Sequence, residues 1–451
     1  MGDEVTNITT PGVLAIGILV LLSVLIGRRW VPIPVLIAGS WLTLGQRLVF
    51  LDLNFTALRV VLIAIMIRMI VRGEWNQITP SAVDRLFKIW NVLRVVTFTA
   101  LWLTVDAFVN RTGFALDAIA LYYCFRYSMR DMADVARITR VMAYILVPVA
   151  VLMTAERVTG FNQFSALGGV PAFSIVRDEI VRSQGPYSHP ILAGTVGAIW
   201  LPLFLGLWRF RGGRMACIAG VLSGLGMVIT SGSSGPLMTV LCAVGALCLW
   251  PLRKQMGLVR KGIVAVLVVL QLSMSEPIWF IFARINVLSA STGWHRSFLI
   301  DMAVKHFFEW FALGTKDVGA WGVFAGDITN HYLIEGLRGG FATLVVFVLI
   351  LKRLYSLIGY AVRWENCLPR GERFFVWTLG AMIAGHTATF FSVAYFESQS
   401  MLHWFVTAAM VVAVGHAVDQ ARSDSAIEEG LLDAPSNLGS ETEVKVQEVA
   451  L

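Results

Sequence analysis

Long apolar runs separated by short polar stretches dominate the chain. Thirteen stand out, near residues 12–27, 31–48, 54–71, 90–109, 112–127, 139–156, 189–208, 215–230, 236–251, 262–282, 339–356, 374–393 and 401–418. They approach the roughly 17–25 residues that a helix needs to cross the hydrocarbon core of a bilayer. Glu276 and Pro277 interrupt the tenth, and the short second and third suit one re-entrant unit. The pattern therefore predicts an all-α, polytopic membrane protein with 12–13 transmembrane helices occupying residues 1–421. Residues 422–451 are polar and acidic without a periodic apolar face, which predicts a disordered cytoplasmic tail.

Composition agrees with a chain solvated by lipid. It is 57% hydrophobic and 14% charged, against about 25% charged in soluble domains. The formal charge of +7 is distributed by side. The connections 28–31, 72–88, 126–140, 208–214, 252–261 and 352–373 hold 21 Lys and Arg, whereas the alternating set holds 9. The positive-inside rule places the first set in the cytoplasm, so most of the basic excess is an orientation signal and not a nucleic-acid surface. The first run lacks a basic flank and reads as a span, not a cleaved signal. The five cysteines form no CxxC and no metal-ligand spacing, and no Walker, GxGxxG or HExxH motif occurs. No cofactor and no metal is expected; Asp327 and His331 have helical spacing for a metal pair but no further ligands.

Two connections on the outer side, 157–188 and 283–338, are too long to be simple turns and mix aromatic, glycine and charged residues. The first carries Arg177 and ends Arg182-Ser-Gln-Gly-Pro-Tyr-Ser-His189-Pro190. Pro190 can open a helix, which sets His189 at its N-terminus and Arg182 nearby, as a phosphate site would require or as an interfacial cap would. In the second, Phe298, Leu299, Met302, Ala303, His306, Phe307 and Trp310 recur at helical spacing, with Asp301, Lys305 and Glu309 on another face. That predicts an amphipathic helix lying in the interface and opened by Trp294 and Arg296. These two either anchor the helix to headgroups or hold phosphate and stack on a sugar. Asn330, His331 and Glu335 cluster where the chain re-enters the membrane, and Glu335 lies one helical turn from His331, where it can orient the imidazole. A polar helix cap is the plainer reading. The turn Thr230-Ser-Gly-Ser-Ser-Gly-Pro236 suits either an anion nest or a tight hairpin. His386, His403 and His416 fall in late spans as packing groups, and Glu397 lies near the outer end of the same region.

Arg182…Gly185-Pro-Tyr-Ser-His189-Pro190…Gly194, the Thr230–Pro236 turn, Arg296, Leu313-Gly-Thr and Asn330-His-Tyr-Leu…Glu335-Gly336…Gly340 together resemble the superfamily of O-antigen ligases and O-antigen or exopolysaccharide polymerases. The likeness covers roughly residues 175–350, and the span pattern extends it. It implies a multi-pass protein of the bacterial inner membrane acting on the periplasmic side. The implied reaction is a metal-independent, inverting transfer of a glycan from undecaprenyl pyrophosphate to a hydroxyl of a lipid or glycan acceptor, in surface polysaccharide biosynthesis. By that resemblance Arg182 and Arg296, with Arg177, His189, Trp294 and Asn330, bind pyrophosphate and glycan, while His331 and Glu335 serve the acceptor. Two departures stand out: the turn at Ser231–Pro236 lacks the arginine common in the family, and Asn330 precedes His331 where relatives often show the reverse order. A non-enzymatic transporter and an envelope-complex subunit are the alternative classes. A transporter more often shows matched, inverted halves, which this sequence lacks.

Overall fold

In lipid a backbone finds hydrogen-bond partners only within its own helix, so apolar runs of this length become helices. The computed structural model describes residues 8–50, 53–177, 179–210, 212–284, 290–322, 324–395 and 397–428. Helix makes up 78% of it, so the class is all-α. In chain order the helices are α1 (Thr10–Leu25), α2 (Pro32–Trp41), α3 (Ala57–Val71), α4 (Ala82–Trp102), α5 (Val105–Ser128), α6 (Met132–Thr159), α7 (Pro190–Gly206) and α8 (Arg214–Thr230). Then come α9 (Ser234–Cys248), α10 (Met256–Ser273), α11 (Ile281–Arg284), α12 (Ala290–Lys305), α13 (Phe307–Trp310), α14 (His331–Arg363), α15 (Arg370–Thr389) and α16 (Ser398–Glu428). Two antiparallel hairpins complete the fold: β1 (Arg47–Phe50) with β2 (Leu53–Thr56), and β3 (Ile175–Arg177) with β4 (Ile180–Arg182).

Among the described residues five helices are long and apolar enough to cross a bilayer: α6, α7, α10, α14 and α16, the second and third counted with their adjoining turns. α1, α8 and α9 are apolar but shorter. The chain is a membrane protein on this ground. Burial ranks the crossing helices from centre to edge: 89% of the apolar window of α16 is buried and 83% of that of α7, but none of α10. The centre is filled by large side chains such as Trp90, Trp200, Phe347, Phe390, Trp404 and Phe405.

Several boundaries differ from the sequence reading, each for a local reason. The second run ends as a ten-residue helix, α2, only about 15 Å long, and hands over to the β1–β2 hairpin. α4 begins at Ala82 because Ser81 and Asp84 form a capping box. It ends at Leu103, which adopts φ 54°, and Thr104 caps α5 by accepting from the Ala107 N–H. The turn expected at 109–112 therefore lies earlier, and Arg111 moves from a loop into a helix. The amphipathic helix is not continuous: α12 stops at Lys305, His306 interrupts, and α13 adds one turn. Asp301, expected on the polar face, is buried and pairs with exposed Lys305 at 2.7 Å. α14 starts at His331 and is broken at Gly340 (φ 75°) into a short first segment and a long second one. α16 continues through Glu428, so the start of the expected disordered tail is helical; 429–451 lie outside the described residues.

One end of the bundle gathers both long connections. Gln46 Nε2 bonds the Leu167 carbonyl, Ser188 Oγ donates to Glu397 at 2.9 Å, and His295 Nε2 meets the Asp327 carbonyl at 2.9 Å. We call this the loop end. The opposite, basic end is tied by Arg28, Arg29 and Arg137 around Asp134 and by Arg253 on Glu365.

Candidate functional site: two guanidinium clusters at the loop end

α14 enters the bundle under tight backbone control. Asn330 Oδ1 accepts from the Leu333 N–H at 3.1 Å, which makes Asn330 the N-cap, and the His331 N–H donates to the Phe390 carbonyl at 2.7 Å. Asn330 is 1% exposed, so its side chain is spent on capping and faces no open site. His331 is equally buried, ringed by Phe347, Phe390 and Tyr395, and its Nδ1 accepts from the Tyr395 N–H at 3.3 Å. Glu335 Oε1 lies 3.7 Å from His331 Nε2, beyond hydrogen-bond reach, and neither atom has a hydrogen-bond partner.

The other oxygen of Glu335 is held. Trp90 Nε1 donates to Oε2 at 2.8 Å, and Arg94 Nε lies 3.7 Å from it with its guanidinium 4.4 Å from the Trp90 ring centre. Around this carboxylate a small cavity is lined by Arg94 of α4, Arg111 of α5, and Ile334, Glu335, Arg338 and Gly339 of α14. Arg111 is buried against the Phe98 ring at 3.9 Å and makes no ion pair among the described residues; Arg338 is exposed at the rim. Three guanidinium groups thus line one small cavity together with one carboxylate.

The grouping differs from the one-to-one structural ion pairs of the bundle. Arg59 pairs with Asp117 at 2.7 Å, Arg68 with Glu74 at 3.0 Å and Arg126 with Asp84 at 3.1 Å, one acid to each base. Asp134 at the basic end also collects arginines, but each reaches its carboxylate within ion-pair distance. A buried, uncompensated guanidinium is costly, and an anionic ligand removes that cost.

A second cluster surrounds the turn between α8 and α9. Arg182 on β4 is buried; its guanidinium donates to Ser233 Oγ at 2.6 Å and to the Ser231 carbonyl at 3.4 Å. Gly232 turns the chain at φ 54°, and a Cβ there would lie 3.2 Å from Arg182 Cγ and 3.5 Å from Arg157 Nη1. Arg157, at the end of α6, thereby joins the cluster, and its Nη1 is buried without a hydrogen-bond partner. Arg177 is exposed on β3; burial first, and the Arg177 charge second, lower the pKa of Arg182. His189 caps α7 by accepting from the Ile191 N–H at 3.2 Å. Burial and the Arg182 charge hold its pKa below the usual imidazole range, against the opposing charge of Asp327.

Residues 390–395, 397 and 398 link the surroundings of the two clusters. Gly235, next to the second cluster, faces Ser392 Oγ; Tyr395 contacts His331; Ser188 bonds Glu397; and Ser398 Oγ donates to Asp117 at 2.6 Å.

The remaining residues singled out in the sequence stand elsewhere. Trp294 is half-exposed, stacked on Phe298 at 5.2 Å and edge-on to Phe324. Arg296 is half-buried, which lowers its pKa, and forms no ion pair among the described residues. Neither Arg182 nor Arg296 lines the cavity beside Glu335. In the sequence pattern Arg94 falls inside the run 90–109, Arg111 between two runs and Arg157 and Arg338 at the edges of the two long connections, and that pattern gives none of them a role. Two signals mark them. Thr104 with Asp106 announces a helix start upstream of Arg111, and Arg338 follows Glu335 at i, i+3.

No family model matches the chain, and neither does any curated protein sequence.

Proposed function

We propose that the chain transfers a glycan from a lipid-linked pyrophosphate donor to an acceptor hydroxyl, as a ligase or polymerase of surface polysaccharide on the periplasmic side of a bacterial inner membrane. The observation that carries this reading is the convergence of Arg94, Arg111 and Arg338 with Glu335 on one small cavity, with Arg111 buried there, backed by a second guanidinium cluster at the turn between α8 and α9. A pyrophosphate leaving group is a compact polyanion. Guanidinium stays cationic on burial and binds phosphate oxygens bidentately. The charge that develops on the leaving oxygen is stabilised most by groups already fixed in place, as Arg111 is by Phe98 and Arg94 by Trp90.

In this reading the acceptor oxygen attacks the anomeric carbon as the bond to pyrophosphate breaks, inverting the centre. The acceptor proton passes to Glu335, the carboxylate that lines the cavity, while His331 stands behind it. The lipid pyrophosphate departs against Arg94, Arg111 and Arg338. The roles of the two acidic-basic partners are thus exchanged relative to the sequence-based expectation, because His331 does not line the cavity and Glu335 does.

The test is transfer by purified protein from a lipid-pyrophosphate glycan, together with polymer length in a deletion strain complemented by variants. Arg111→Ala and Glu335→Gln should each lower transfer at least about a hundredfold while the protein stays folded in the membrane. Full polymer from both variants would sink the proposal and favour a transporter or an assembly subunit.

A further inference from the structure

The basic end holds a cleft of about 470 Å³ lined by Trp208, Arg209, Arg214, Arg370 and Gly371. It lies between the turn that follows α7 and the starts of α8 and α15. We infer that this cleft binds the phosphate of an anionic phospholipid headgroup.

Three observations lead there. First, the cleft is cationic without a counter-ion. Arg209, Arg214 and Arg370 are exposed, and none makes an ion pair among the described residues. Arg209 lies over the Phe374 ring at 5.1 Å and Arg214 over Trp208 at 5.6 Å, contacts that leave their N–H donors free. Glu372, two residues from Arg370, does not line the cleft; burial and the Asp131 charge raise its pKa. Second, α8 begins at Arg214 and α15 at Arg370, and neither has a side-chain cap, so two helix N-termini add unsatisfied N–H groups beside the three guanidinium groups. The two strands of the cleft are held close by Gly371, where a Cβ would lie 2.9 Å from the Arg209 carbonyl oxygen.

Third, the cleft continues into an apolar track. Met215 (70% exposed), Ile218 (44%) and Leu222 (66%) stand at i, i+3 and i+7 on the outer face of α8, directly below Arg214. Trp208 is 51% exposed at the same level, where indole rings favour the interface. Phosphate above and acyl chain below is the layout of a phospholipid. Orienting the protein needs only positive charge at this end; it does not need a cleft, an absent counter-ion and an adjoining apolar track. Basic pockets between helices at this level suit anionic headgroups.

The experiment is native mass spectrometry of the purified full chain with phosphatidylglycerol or phosphatidylcholine added at equal concentration. Wild type should retain phosphatidylglycerol in preference. Arg209→Ala/Arg214→Ala/Arg370→Ala should weaken that binding about fivefold per arginine removed. The corresponding triple lysine variant should keep most of it, which separates lost charge from lost folding. Millimolar inorganic phosphate should compete poorly if the acyl track contributes; efficient competition would identify a soluble phosphate as the ligand of the same cleft. Equal retention of the two lipids, or wild-type binding by the triple alanine variant, would overturn the inference. None of these residues touches the site at the loop end, so the outcome is independent of the proposed transfer reaction.

Discussion

Trp90 has two tasks at the candidate site: its N–H fixes one oxygen of Glu335, and its ring carries Arg94. Trp90→Phe keeps the ring and removes the donor, leaving a buried carboxylate oxygen short of a partner. A loss of about 1.5–3 kcal/mol is expected, read as a lower unfolding temperature in detergent. Glu397 offers a second single-residue test. Burial raises its pKa, and the Ser188 hydroxyl offsets this in part. A raised carboxyl pKa means the folded state holds the proton more tightly, so stability falls as pH rises from the unfolded value of about 4.3 through the folded one. Glu397→Gln should flatten that slope in a series of melts between mildly acidic and neutral pH; an unchanged slope would remove Glu397 as its source. At this scale the sequence was partly legible. Asn330, His331 and Glu335 were found because they sit together in the chain. Arg111 was not, because reading hydropathy alone pushes a charge towards the nearest loop, and the Phe98 ring that covers it lies in another helix.

At the scale of elements, the break in α14 sets the depth of the site. The first segment carries His331, Glu335 and Arg338, and it is stitched to the preceding loop: the Thr315 N–H donates to the Leu337 carbonyl and the Phe341 N–H to the Phe311 carbonyl, both at 2.8 Å. Gly340 adopts φ 75°, and a Cβ there would lie 2.4 Å from the Ala312 carbonyl oxygen. Gly340→Ala therefore meets strain and overlap together. It should cost about 1–3 kcal/mol and lower transfer by displacing Glu335 and Arg338. Gly359→Ala, in the same helix with open space around it, should be neutral or slightly stabilising in the same assay. Helix existence was legible from the apolar runs, and helix ends were not. The start of α4 and the turn after it are set by the Ser81–Asp84 box and the Thr104 cap, which the hydropathy pattern does not register.

For the whole molecule, the two long connections gather at one end, and the Asp134 and Glu365 arginine clusters tie the other. Sidedness can be measured in a background with the five cysteines replaced. Lys316→Cys, exposed at the loop end, should react with a membrane-impermeant maleimide in intact spheroplasts. Lys261→Cys, exposed at the basic end, should react only after permeabilisation. The reverse pattern would place the candidate site in the cytoplasm and exclude a periplasmic transferase. The architecture was legible from charge asymmetry and run lengths. Which helices lie at the centre was not, because α10 and α16 are both apolar and differ only in what surrounds them.

α10 has no buried residue, and its firm contacts are with the turns at its own two ends. Its 18 residues span about 27 Å. Helix packing does not fix its angle to the membrane, so the match between its apolar length and the hydrocarbon thickness does. A thinner bilayer tilts α10 further and shifts its far end, from which the chain leads through α11 towards α12 and on to α14, which carries Glu335. Lipid chain length thereby acts as a mechanical variable. Transfer rates in vesicles of graded acyl length should pass through an optimum, whereas a helix locked into the bundle would leave them flat.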